Sequence, residues 1–398
     1  MRFVAIICEF NPLHNGHSLL IKKAKELSNT DAVICIMSGN FVQRAEPAIC
    51  DTYSRATMAI LAGADCVIEL PTLYATACGE RFSEGAINIA NSIKDITHLA
   101  FGTESGDISF LSDIAKVQVA ETQEFKQILK DNLDSGVSYP KALSLATKEI
   151  LGLNSEINLP NDLLGIEYIK QLLKTNSNIA PLTISRVGCN HHDTKFLGEF
   201  SSASSVRNLI ANKEWIKIKQ TMPKKTFDIL KKEHREFAVD YNLFNKLVVV
   251  NLRTKDIYTC PDNNEGLDKK LKAASSQNVC LNTILDIAKS KRYTMARIKR
   301  LCLQSMLDIT RYPNIYDFNL SAKLIAINKK LKSAILPLLP NNIIIKNSDE
   351  QKYLSTQKKP TQKDLQYIEK INQTANSIYS LLQNKNGKCN KALPLLER

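Results

Sequence analysis

The start of the chain constrains it most. An apolar run, Phe3-Val4-Ala5-Ile6-Ile7-Cys8, passes through Glu9-Phe10-Asn11-Pro12-Leu13-His14-Asn15-Gly16-His17 into an amphipathic segment that begins Ser18-Leu19-Leu20-Ile21. This pattern predicts a strand, a turn and a helix, with a His-x-Gly-His tetrapeptide at the junction. Imidazoles three residues apart at a helix N-terminus can both face a phosphate chain, and the free N–H groups and dipole of the helix favour the same negative charge. The junction therefore reads as a nucleoside triphosphate site. Gly16, which has no Cβ, is expected to let an adenine or ribose come close to the backbone. Pro12 stiffens the approach to the histidines.

The continuation supplies the context such a site needs. Strand-like runs at 2–8, 32–37, 65–70 and 97–102 alternate with helical patterns near 15–28, 52–62 and 80–93. This alternation predicts a doubly wound, mostly parallel α/β sheet, whose ligand sits where the loops after the strands converge. Two of those loops carry candidate groups. Ser38 to Pro47 contains Arg44, and Gly102-Thr103-Glu104-Ser105-Gly106-Asp107 is small and polar enough for close backbone contact with a base or ribose. Further on, Leu159-Pro160-Asn161-Asp162 reads as a turn into a helix capped by Asn161 or Asp162. A fifth strand is expected over 182–187. The run Ser201-Ser202-Ala203-Ser204-Ser205-Val206-Arg207 then opens a helix on which Ser204 and Arg207 share a side, an arrangement suited to phosphate oxygens.

Charge divides the chain. Residues 1–200 hold 17 Lys+Arg against 23 Asp+Glu, and the remainder holds 36 against 17. A mildly acidic half that carries the motif, joined to a strongly basic half, predicts a catalytic domain at 1–212 and a basic, mainly helical domain at 213–398 that binds a polyanion such as nucleic acid. The best candidate patch is Lys289 to Arg300. Read as one helix, it places Arg297 near Tyr293 and Arg300, and Lys291 and Arg292 add charge. Lys217, Lys219, Lys224, Lys225, Lys231 and Lys232 read as a solvated face, and the tract 351–366 as a linker. The ten cysteines are scattered singly with no metal-ligand spacing, so no disulfide framework or protein-held metal site is expected. With no signal-like segment and no apolar run of membrane-spanning length, a cytoplasmic protein is expected.

The His14–His17 site and the distant Ser-Ala-Ser-Ser-Val-Arg run resemble the nucleotidylyltransferase superfamily, with its Rossmann-like fold. The longer runs Cys8 to His17 and Met37 to Arg44, together with Gly63-Ala64-Asp65, Asn161-Asp162 and Lys291-Arg292-Tyr293-Thr294, resemble the bacterial tRNA(Met) cytidine acetate ligases. That resemblance implies an enzyme that uses ATP and acetate to make acetyl-adenylate and then acetylates N4 of the wobble cytidine of elongator tRNA(Met). It implies an ATP site formed by the loop from Ile7 to Leu20, including Cys8, Glu9, Phe10, Asn11, Pro12 and Gly16, together with Gly102, Asn161 and Arg186. The chain departs from the family at Ala45, where Gly is usual, and at Thr52 and Tyr53, where Lys and Trp are usual. Loss of a lysine near the triphosphate is expected to weaken phosphate binding unless Arg44 or Arg55 compensates.

Acetate is ionised at neutral pH and needs no base to attack phosphorus. His14, His17, Ser204 and Arg207 are therefore assigned to stabilise phosphate charge, with Mg²⁺ sharing it through phosphate oxygens and water. Lys291, Arg292, Tyr293, Arg297 and Arg300 are assigned to tRNA. Two alternatives remain at this level: an adenylyltransferase acting on a phosphorylated small metabolite, which would not need the basic half, and an RNA-binding factor that uses ATP as a regulatory ligand and releases no pyrophosphate.

Overall fold

The computed structural model describes residues 1–186, 196, 198–264, 266–383 and the backbone of 395–396. Val187, at the end of the expected fifth strand, and the histidines 191 and 192 lie outside the described residues. A central sheet contains β1 (Phe3–Cys8), β2 (Ala32–Ser38), β3 (Cys66–Leu70), β4 (Ile96–Thr103), β5 (Ala180–Ser185) and β6 (Ala322–Asn328), in the order β6-β3-β2-β1-β4-β5. Leu395–Leu396 extends the β6 edge. All neighbouring pairs from β3 to β5 are parallel, with Ile7 opposite Ile36 and Cys8 opposite Met37. β1, β2 and β3 are buried on both faces, as parallel strands covered by helices must be, and this explains their largely apolar sequences, interrupted only by Ser38 and Glu69. The thiols of Cys8, Cys35 and Cys66 are part of that core, and burial pushes the Cys8 and Cys66 thiols up.

The expected helices form at Asn15–Ser28, Thr52–Ala62 and Gly79–Ser92. Chain direction reverses about β1: the chain winds out through β2 and β3, then returns to the other side of β1 with β4. The gap between the carboxyl ends of β1 and β4 is thus the topological switch point, where open sheets bind ligands.

The second half of the chain is not confined to a separate layer. β6 comes from residues beyond 213 and pairs antiparallel with β3 through Cys66–Ile327 and Val67–Ala326. The tract around 351–366, expected as a linker, instead contains parts of two helices, Asn347–Ser355 and Lys359–Leu382. The longer one is stitched to the sheet's loops. Its Asn372 Oδ1 accepts from the Thr72 N–H at 2.8 Å, Asn376 Oδ1 accepts from Asn40 Nδ2 at 2.8 Å, and the Tyr379 hydroxyl donates to the Ala48 carbonyl at 2.7 Å.

Two expectations about family departures change here. Thr52 is only 3% exposed, and its N–H and hydroxyl both donate to Asn40 Oδ1 at 2.9 Å. It belongs to a packed polar network away from the cavity described below, and a lysine placed there would have to bury its ammonium. Arg55 is fully buried and does not compensate for a missing phosphate contact. Its guanidinium donates to the carbonyls of Glu9 (2.6 Å), Ser38 (3.0 Å), Cys50 (3.0 Å) and Gly39. Ala45 adopts φ 58° in the turn between the short antiparallel strands Phe41–Val42 and Glu46–Pro47, a left-handed conformation that glycine takes at lower cost.

Arg55→Lys keeps the charge but removes the planar fork, leaving buried carbonyls unpaired around an ammonium. It should destabilise the protein by about 3 kcal/mol or more, read as a lower urea midpoint at unchanged slope.

Candidate nucleotide-binding active site

A cavity of about 230 Å³ opens at the switch point. From β1 and the following turn it is lined by Ile7, Cys8, Glu9, Phe10, Asn11, His14, His17 and Leu20. β4 contributes Phe101 and Gly102, the loop after β2 contributes Gln43 and Arg44, and Asn161 and Arg186 complete that rim. The helix Ala203–Ala211 brings Ser204 and Arg207 from its first turns. The sequence-assigned catalytic and nucleotide residues thus converge, except Pro12 and Gly16. Pro12 is buried in the turn behind the cavity, with a cis Asn11–Pro12 bond, and Gly16 lines a smaller adjoining cavity that shares His14, His17, Leu20, Gly102 and Arg186.

Gly16 has a different reason to be glycine from the one the sequence suggested. A Cβ there would lie 2.9 Å from His14 Cε1. The missing side chain makes room for the first imidazole, which caps the helix Asn15–Ser28. His14 Nδ1 accepts from the Gly16 N–H at 3.1 Å, and His17 Nδ1 accepts from the His14 N–H at 3.3 Å. The rings stack with centroids 3.7 Å apart, and Phe10 meets His17 edge-on. With Nδ1 used as an acceptor in both rings, the hydrogen-bond network assigns each proton to Nε2. Burial, reinforced by Arg186 and Arg207, pushes His14 down to about 3 and His17 well below the usual histidine value. The pair is therefore neutral at physiological pH, with two N–H donors fixed by the backbone.

Ser202, rather than Ser204, caps the helix Ala203–Ala211 by accepting from the Ser205 N–H at 3.1 Å. Ser204 Oγ accepts instead from Arg207 Nη2 at 3.0 Å, and Arg207 Nη1 donates to the Asn11 carbonyl at 2.9 Å. Burial and the neighbouring Arg44 lower the Arg207 pKa, so the guanidinium gains from an anionic partner. Asn11 Oδ1 accepts from the Ile49 N–H at 2.8 Å, while its buried Nδ2 has no partner among the described residues and remains a donor available to a ligand. The N–H groups of Asn15, Gly16 and His17, expected to be free, donate to the Thr221 carbonyl, His14 Nδ1 and the His14 carbonyl. The first helix therefore contributes its dipole and imidazoles, which with the second helix N-terminus and the arginines surround one space suited to a chain of phosphates.

Other sequence assignments are corrected. Neither Asn161 nor Asp162 caps the helix Pro160–Lys174; the Glu104 carboxylate does, accepting from the N–H groups of Asn161 (3.1 Å) and Asp162 (3.0 Å). Asp162 returns the contact by accepting from the Glu104 N–H at 2.8 Å. In the basic patch, the helix begins only at Met295, after a Thr294 cap. Tyr293 is buried, and Arg300 forms a two-pronged pair with Asp262 at 3.0 and 3.1 Å. Arg297 donates to the Asp262 carbonyl and lies 5.7 Å from the Tyr293 ring centroid. Lys291 and Arg292 alone among the five assigned residues are exposed.

Sequence reasoning missed Gln43 and the cavity's aromatic wall of Phe82, Phe101 and Tyr168. Aromatics at helical spacing read as core, which Phe82 and Tyr168 also are, so nothing local marks them. Among the described residues no group of three or more His, Cys, Asp or Glu could hold a metal, and no helix is long and apolar enough to cross a membrane.

Comparison with known proteins now decides the family. The model of the HIGH Nucleotidyl Transferase family matches residues 1–392. A tRNA(Met) cytidine acetate ligase of Clostridium novyi is 39% identical over 355 residues, covering 84% of this chain and 89% of that one. One from Clostridium acetobutylicum is 37% identical over 351 residues, covering 84% and 87%. The chain belongs to the tRNA(Met) cytidine acetate ligase family, within the HIGH nucleotidyl transferases. Among solved structures, Thermotoga maritima TmcAL in its apo form superposes with a TM-score of 0.89 at 31% identity, covering 100% of both chains. Thermotoga maritima TmcAL bound with alpha-thio ATP gives 0.85 at 29% identity, covering 96% of this chain and 95% of that one.

The depressed histidines make a pH prediction. Their folded pKa values lie below the unfolded value near 6.5, so the unfolded chain takes up protons first and the contribution to stability is complete only above that pH. The ligand-free protein should lose melting temperature progressively as pH falls from about 6.5 toward 3, and His14→Gln should flatten that slope.

Proposed function

We propose that this cavity activates acetate with ATP and passes the acetyl group to N4 of the wobble cytidine of elongator tRNA(Met). As a member of its family, the chain is an ATP-dependent ligase; acetate, acetyl-adenylate, the target base and the site roles are our reading. The observation that carries it is the convergence of two helix N-termini, the Nε2–H groups of His14 and His17 and the Ser204–Arg207 pair on one cavity at the switch point.

In this reading the adenosine lies along Gly102, Arg186 and Leu20, which the two adjoining cavities share, with the phosphates between the histidines and Arg207. An acetate oxygen attacks the α-phosphorus, the bond to the bridging oxygen breaks, and pyrophosphate leaves. The protein contributes fixed donors where negative charge builds up, and needs no proton transfer in this step. Glu9 is the only carboxylate among the described residues that line the cavity. Mg²⁺ would therefore enter on phosphate oxygens and water, sharing the triphosphate charge, rather than in a protein cage. The amine of cytidine, whose lone pair is delocalised into the ring, then needs an acyl group with a good leaving group, which the adenylate supplies. The target base would be splayed out of the anticodon, the usual way a single-stranded base is read. The basic half, with Lys291 and Arg292 at its surface, holds the rest of the RNA. The cytoplasm is where such an enzyme meets tRNA, ATP and acetate.

The test is incubation with ATP, Mg²⁺, labelled acetate and bacterial tRNA, followed by nucleoside analysis. N4-acetylcytidine formed without coenzyme A is expected; pyrophosphate release with unmodified tRNA would move the acceptor to a small metabolite. Replacing Lys291 and Arg292 by Ala should weaken tRNA binding and lower the salt slope by about 1.5 while ATP affinity holds. Arg300→Ala should instead lower stability, because it leaves Asp262 without its guanidinium.

A further inference from the structure

The cavity spans both faces of the sheet. Cys8, Phe10 and Val206 belong to the apolar core on the face of the helices Asn15–Ser28 and Ala203–Ala211, whereas Ile7, Phe82, Phe101 and Tyr168 belong to the core on the opposite face. The phosphate-binding groups therefore occupy one side of the strand ends and an aromatic wall the other. Phe101 and Tyr168 meet edge-to-face at 5.5 Å, and Gly165 leaves the space for Phe101, since a Cβ there would come within 2.6 Å of the ring. Glu9 follows β1 directly and sits at the junction of the two sides.

A carboxylate is out of place in a triphosphate site, because like charges in contact repel strongly even where they are partly screened. Glu9 is nevertheless held firmly. One carboxylate oxygen accepts from the Gln43 N–H at 2.9 Å, and its own carbonyl accepts from buried Arg55 at 2.6 Å. The charged groups acting on it are Arg44, Arg207 and Arg55, with Cys8 and Tyr168 beside it. Among the described residues only one of its two oxygens is engaged, and acetyl transfer makes a further demand: something must take a proton from the attacking amine.

We infer that Glu9 is the base that accepts this proton, with the target cytosine lodged against the wall of Phe82, Phe101 and Tyr168. The inference rests on the acetyl-transfer reading of the cavity. The N4 lone pair forms a bond to the acetyl carbon, the bond from that carbon to the phosphate oxygen breaks, AMP leaves with the electron pair, and one N4 proton passes to the free carboxylate oxygen of Glu9. The acetylated base and AMP then depart, and Glu9 returns its proton to water. Burial raises Glu9 above the ordinary carboxylate value against the opposing Gln43 N–H and arginines. A carboxylate so placed is a better proton acceptor near neutral pH than a solvated one.

Glu9→Gln tests this, since the amide oxygen can still accept from Gln43 while the base is lost. Two partial reactions are compared: acetate-dependent exchange of pyrophosphate into ATP, and single-turnover transfer of acetyl to tRNA. The ratio of transfer to exchange should fall by about 100-fold or more in the variant. Transfer that survives, or an equal fall in both reactions, would overturn the assignment. If the variant fails to fold, the wild-type pH profile decides: transfer should show an acidic limb that exchange lacks, and matching profiles would sink the proposal. A wild type that exchanges pyrophosphate yet acetylates no tRNA would instead refute the acetyl-transfer reading, which is a separate result.

Discussion

One buried guanidinium holds the working end of this molecule together. Arg55 reaches from the first turns of the helix Thr52–Ala62 to carbonyls of the loops that leave β1 and β2. Those carbonyls converge on a fully buried side chain, where an unpaired one costs free energy comparable to a lost hydrogen bond. A single planar, permanently charged fork satisfies several of them at once, which a lysine could not do. Fixing Glu9, Ser38 and Gly39 in this way sets the path of the chain into His14 on one side and Arg44 on the other. Gly39 is tightly enclosed as well: a Cβ at that position would lie 2.4 Å from Glu69 Oε1. The positions of the cationic and neutral donors around the cavity follow from that packing.

The two imidazoles illustrate the same economy of means. Each ring spends its Nδ1 on a backbone N–H, so the tautomer is set by the helix N-terminus rather than by a partner carboxylate. Burial and nearby arginines keep both rings uncharged. Neutral N–H donors can follow charge from the ground state to the transition state with little reorganisation, the condition under which fixed dipoles stabilise a reaction best.

The sequence revealed the parts of this design that are local. Short apolar runs and their alternation with helices located the main strands and the first helices, and the His14–His17 junction with the Ser204–Arg207 spacing marked groups that do meet at the cavity. What it hid is non-local. Nothing near Glu104 announces that it caps a helix 56 or more residues away, and Asp262 gives no sign that it claims Arg300. A run of basic residues looks the same whether its side chains face water or clamp a loop, so the patch at 289–300 read as one RNA-binding helix. β6 was missed for a similar reason: seven residues in a mainly helical half become a strand by pairing with the β3 edge.

That last pairing has a consequence for how the protein is made. Synthesis from the N-terminus delivers β1 to β5 long before residues 322–328 emerge, so the β3 edge stays open while much of the basic half is being translated. An unpaired, apolar edge strand invites association with other chains. Chains interrupted before β6 would carry every histidine and arginine of the nucleotide cavity, yet present a sticky sheet edge and lack the helix Lys359–Leu382 that ties down the loop around Asn40 and Ala48. The strand at 322–328 and the helix Lys359–Leu382 thus finish, late in synthesis, a sheet edge and loops that the first strands leave open.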